Sequence, residues 1–119
     1  MFYYCRSLTS IPLFDISNVT RMDHVFDTCG ALETIPAFDV SNVTTMSYML
    51  RDCVKLKSIL MTNIGVDLNI SASTKFERSD LLVILNNLKT VTSATTLTMG
   101  ATNLAKLTDE DKAIAINKG

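Results

Sequence analysis

Apolar residues recur along this chain in short clusters separated by polar turns. Met22, Val25, Phe26 and Cys29 fall at i, i+3, i+4 and i+7, the spacing of one helix face, and Met46, Met49, Leu50 and Cys53 repeat it. Residues 8–12, Leu-Thr-Ser-Ile-Pro, read as an extended stretch whose proline suits a strand end. Asp15-x-Ser17-Asn18 then supplies turn chemistry, since Asp and Asn side chains bond nearby backbone and tolerate unusual dihedrals. Further on, residues 66–70 alternate as a half-buried strand does. Leu81, Ile84, Leu85 and Leu88 form a helical stripe that Ser79 or Thr74 could cap. Leu97-Thr98-Met99 reads as a short strand stopped by Gly100. Thr108 followed by Asp109, Glu110 and Asp111 reads as a capping-box start, and that helix is expected to run to about Asn117, with Lys118 and Gly119 as stop signals.

The clusters are periodic. Cys5, Cys29 and Cys53 are spaced 24 and 24, and laying residues 25–48 under 1–24 matches twelve positions, from Phe2/Phe26 to Met22/Met46. A third copy begins at Met49, keeps Cys53, Leu56 and Ile59, and loses the pattern near Leu60. Such a period predicts an α/β solenoid, either β-helix-like or leucine-rich-repeat-like, with one short strand and one short helix per 24-residue turn. Asn18 and Asn42, one period apart, are expected inside the turns, satisfying backbone groups there. Residues 1–64 would hold the repeats, the first incomplete, and residues 65–119 larger β-helix coils continuing the stack, with Leu68 and Leu97 placed 29 residues apart. Both ends read as cut: residues 1–5 enter halfway through a segment that 22–29 completes, and Gly119 falls where another strand is due. A fragment of a longer repeat protein is the expectation.

Composition narrows the class. The 119 residues are 47% hydrophobic and 19% charged, enough to bury a core and too apolar for a disordered chain. The longest apolar run, residues 81–85, is far short of the ~20 residues that cross a bilayer. No basic segment leads into an apolar core and cleavage site. Eleven basic residues against twelve acidic ones leave net charge −1, which argues against a nucleic-acid partner.

Candidate chemistry is sparse. Three cysteines 24 apart match no zinc spacing and read as small buried hydrophobes. His24 is the sole histidine, and no Gly-x-Ser-x-Gly elbow accompanies it, so it reads as a surface residue. Asp15 and Asp39 recur with the turns, and Asp109, Glu110 and Asp111 suit a helix N-terminus. With no phosphate-cradling glycine loop and no metal-ligand pattern, no cofactor is expected. Asn18-Val-Thr20, Asn42-Val-Thr44 and Asn69-Ile-Ser71 are formal glycosylation sequons that read here as turn residues. The informative positions are those where the copies disagree, because a residue the repeat does not dictate is free to face solvent. Thr9, Glu33 and Lys57, flanked by Ser10, Thr34 and Ser58, would form a polar ladder on one strand face. The alternative is a solvated face with an incidental Glu33–Lys57 pair worth at most ~1 kcal/mol. Tyr3, Tyr4, Arg51 and Asp52 form a second candidate patch on the helical side.

The segments Cys-x-x-Leu-x-x-Ile-Pro and Phe-Asp-x-Ser-Asn-Val-Thr-x-Met, covering residues 1 to about 60, resemble the BspA-like leucine-rich-repeat family of bacterial surface proteins, whose relatives occur in mycoplasma surface lipoproteins and phage tail-associated proteins. The resemblance implies attachment rather than catalysis, on a bacterial cell surface or a virion. The expected function is a non-enzymatic recognition or adhesion module binding a host or cell-surface protein or glycan. A purely structural spacer in a surface fibre or phage tail is the rival. Neither reading inserts this chain into a membrane, and both allow end-to-end or higher-order assembly.

Overall fold

A computed structural model describes residues 4–92 and 95–119. Its regular elements are β1 (Thr34–Ile35), β2 (Ser58–Ile59), β3 (Leu68–Asn69), α1 (Arg78–Asn86), β4 (Leu97–Thr98), α2 (Ala101–Leu104) and α3 (Asp109–Asn117). β1 pairs with β2 in parallel, Thr34 opposite Ser58 and Ile35 opposite Ile59, and β3 pairs with β4 in parallel, Leu68 opposite Leu97. Isolated parallel bridges join Arg21 to Thr45, Asp39 to Thr62 and Ile64 to Leu88. Residues about one sequence period apart therefore lie side by side.

The expected solenoid of strand-plus-helix turns is not what the chain forms. Among the described residues, the strands are two residues long and make two separate two-stranded sheets. No helix falls in residues 4–77, and the far end holds three short helices in place of larger β-helix coils. The radius of gyration is 13.3 Å, against ~13.5 Å for a compact globule of this length. The chain is a small mixed α/β globule.

The missing helices have a backbone cause. Residues 22–29 place Met22, Phe26 and Cys29 in the core, as the helical spacing requires, but through successive tight turns. His24 and Thr28 adopt φ of 59° and 60°, and Tyr48 and Asp52, one period on, adopt 57° and 58°. A left-handed residue every fourth position interrupts the i→i−4 ladder of a right-handed helix. The released N–H groups turn outward to the neighbouring copy: His24 N donates to Ser47 O (3.0 Å), Phe26 N to Met49 O (3.1 Å) and Thr28 N to Arg51 O (2.7 Å). Thr28, Asp52 and Tyr4 (φ 60°) occupy the same position of the repeat, so the conformation is periodic too.

Turn chemistry follows the residues. Asp15, Asp39 and Asn69 each accept a hydrogen bond from the backbone N–H two residues on, at Ser17 (2.8 Å), Ser41 (3.0 Å) and Ser71 (2.9 Å). Asn18 and Asn42 are exposed rather than enclosed, although Asn42 Nδ2 does donate to Ser17 O in the preceding copy (2.9 Å).

One core runs from Ile11 to Leu107, with Phe26, Phe38, Phe76, Leu56, Ile70 and Leu81 among its fully buried side chains. Helix α1 buries Leu81, Ile84 and Leu85, and its N-cap is Glu77 rather than Ser79 or Thr74. Asp80 Oδ2 accepts from the Glu77 N–H (3.0 Å) there. Helix α3 begins at the expected cap, Thr108, and runs parallel to α1, held at both ends: Arg78 meets Asp111, and Lys118 Nζ donates to the α1 carbonyl of Asn86 (2.8 Å). The short helix α2, which no local pattern marks, buries Asn103, whose Nδ2 donates to the Ser73 and Met99 carbonyls at 2.8 Å each while Oδ1 has no partner.

Candidate functional site

On the strand face, Glu33 N donates to Thr9 O (3.0 Å), and Lys57 N to Glu33 O (2.9 Å). These bonds set Thr9, Glu33 and Lys57 in a row, all exposed, with Thr34 and Ser58 paired beside them and half-buried. Ser10 is exposed next to Thr9. Lys57 Nζ lies 3.4 Å from Glu33 Oε2, with both side chains about half exposed (58% and 49%). An ion pair so wet contributes little to stability. The six residues present hydroxyls, one carboxylate and one ammonium, groups that can hydrogen-bond a ligand's polar surface.

A second constellation lies across the turns and centres on Asp27, which is fully buried. Its carboxylate accepts from Arg51 Nε (3.0 Å) and Nη2 (2.7 Å) and from Thr28 Oγ1 (2.8 Å), and it lies 2.7 Å from His24 Nδ1. Burial pushes the Asp27 carboxyl up, but the hydrogen bonds from His24, Arg51 and Thr28 outweigh it and hold the pKa below the usual carboxylate value. The Tyr48 ring stacks on His24, centroids 5.2 Å apart and planes 23° apart, and the Arg51 guanidinium sits 5.1 Å from the same ring. Neighbouring Asp23 is held low in the same way, chiefly by Thr45 Oγ1 (2.7 Å) and also by Arg21 (2.8 Å).

Of the second expected patch, Tyr3 lies outside the described residues. Tyr4 and Arg51 do meet at one residue, because Tyr4 N donates to the Asp27 carbonyl (2.9 Å). Asp52 is exposed, the last residue of the run of turns over residues 47–52. Sequence reasoning passed over Asp27, Tyr48 and the role of His24. A signal existed: Asp27 and Arg51 are opposite charges one period apart. Beside this cluster is a surface groove of about 470 Å³ lined by Tyr48, Arg51 and Asp52 on one side and Asn69, Ser71 and Ala72 on the other.

The thiols of Cys29 and Cys53 are fully buried. Cys53 Sγ donates to Phe26 O (3.0 Å), and burial pushes its pKa up to about 12. Among the described residues, no group of three or more His, Cys, Asp or Glu could hold a metal ion, and no helix is long and apolar enough to cross a membrane.

Residues 1–107 match the family described as Mycoplasma protein of unknown function, DUF285, and the chain belongs to that family. Comparison with the curated proteins and with the solved structures finds no match.

Proposed function

We propose that this member of the DUF285 family is a non-enzymatic recognition module, displayed on a bacterial cell surface or a virion, that binds a protein or glycan through Thr9, Ser10, Glu33, Thr34, Lys57 and Ser58. The observation that carries this reading is the backbone link from Thr9 to Glu33 to Lys57. It presents three chemically different exposed side chains on a pre-set base. A face already ordered loses little entropy on binding, and weak contacts gain strength when several modules act together. The resemblance of residues 1 to about 60 to BspA-like bacterial surface proteins supports the same reading.

The test is an array of host-surface proteins and glycans, probed with the chain and with a Thr9→Ala/Glu33→Ala/Lys57→Ala variant. Binding that the variant loses is the expected result. A folded, monodisperse chain that binds nothing on the array would overturn the reading in favour of a structural spacer.

A further inference from the structure

We infer that the groove beside Tyr48 is a second binding site, one that takes a neutral sugar ring. It lies apart from the strand face and does not rest on that face's role. Its volume of about 470 Å³ falls inside the range of small-molecule sites, roughly 300–1,000 Å³.

The lining matches a pyranose in kind. Tyr48 is 59% exposed, a large aromatic ring kept at the surface. Rings of this sort pack against the C–H faces of sugars, which are apolar although their rims are hydroxylated. Tyr48 is also held in place: His24 stacks on it and Arg51 lies against it, and both of those groups are anchored on the buried Asp27 carboxylate at 2.7 Å. The ligand therefore does not have to order the ring, which lowers the cost of binding.

Polar groups complete the rim. Asp52 offers a carboxylate acceptor for sugar hydroxyls, a charge-assisted bond stronger than a neutral one. Asn69 Oδ1 is occupied by the Ser71 N–H (2.9 Å) and Ser71 Oγ (2.7 Å), which orients its amide nitrogen as a donor. Charge selects against an anion. Arg51 spends its fork on Asp27, with Nε and Nη2 engaged at 3.0 and 2.7 Å, so its charge is compensated and Asp52 adds a negative one. A phosphate or sialic acid would meet repulsion where a neutral hexose meets acceptors and a donor.

The experiment is an amide chemical-shift titration with the methyl glycosides of glucose, galactose and N-acetylglucosamine. Saturable shifts at Tyr48, Ser71 and Ala72 are expected from at least one of them. Tyr48→Ala should bind roughly tenfold more weakly, while Tyr48→Trp, which keeps an aromatic platform and controls for folding, should retain binding. The proposal is overturned if no glycoside gives saturable shifts, or if Tyr48→Ala binds as the parent does. Shifts confined to Thr9, Glu33 and Lys57 would also overturn it while upholding the strand-face reading. Conversely, a strand-face triple variant that keeps the groove shifts but binds nothing on the array would sink only that other reading.

Discussion

Arg78 grips Asp111 with both arms of its guanidinium, Nε to Oδ2 and Nη2 to Oδ1, each at 2.8 Å. Arg78 is the first residue of α1, and Asp111 sits in the first turn of α3. The same carboxylate accepts from Thr108 N (2.9 Å), while Asp111 N donates to Thr108 Oγ1 (3.1 Å). One side chain thus caps its own helix and clamps a second one that lies 33 residues earlier. The bidentate pairing fixes angle as well as distance, which a lysine could not do.

Arg78 first, and Thr108 after it, lower the Asp111 carboxyl to about 2 from its ordinary 3.8. A carboxyl depressed in the folded state binds its proton more readily once unfolded. Its stabilising effect is therefore complete above pH 3.8 and is lost as pH falls through about 2. Asp111→Asn should be less stable than the parent at neutral pH, and the gap should close progressively between about pH 4 and pH 2. Urea midpoints measured across that window check it. A gap independent of pH would assign the loss to packing.

Phe26 is fully buried. Phe26→Ala should cost about 3–5 kcal/mol, read by chemical denaturation. A loss under about 1 kcal/mol would mean that the turn segment packs differently.

Cys29 and Cys53 should resist alkylation in the folded protein, because burial raises both thiol pKa values and removes access. Cys5 is only half-buried. Mass spectrometry after iodoacetamide should find Cys5 modified first and all three only after denaturation. Equal labelling of the three in the native state would contradict the burial described.

Asp52 holds φ 58°, where a side chain costs ~1–2 kcal/mol and glycine costs nothing. Glycine also loosens the unfolded chain, so Asp52→Gly should stabilise by at most about 1 kcal/mol, and Asp52→Val should destabilise by about as much or more. Thermal melts of the two variants check the sign. A destabilised glycine variant would show that the Asp52 side chain matters more than its backbone.

Much of which residue meets which was legible along the chain. The period of 24 foretold the Thr34–Ser58 and Ile35–Ile59 pairs, and Leu68 opposite Leu97 was visible as a larger spacing. The exposed row Thr9, Glu33, Lys57 was readable because a repeat reveals the positions it leaves unconstrained. The Asp27 cluster went unread because its members look like unremarkable surface residues until the copies are brought together.

By itself the sequence determined the apolar burial of residues 22–29 and 46–53, the periodic partners and the Thr108 start of α3. Tertiary structure alone decided the backbone path through residues 22–29 and 46–53. Apolar positions at i, i+3, i+4 and i+7 fit a helix and fit a run of turns equally well. The choice falls to hydrogen bonds made to a strip of chain 23 residues away, as His24 N makes to Ser47 O. Likewise Arg78 finds Asp111, and Asn103 the Ser73 carbonyl, only once the chain has folded. Local propensity acts over a few residues, whereas these partners are joined by loop closure and a shared core, and no short window contains both.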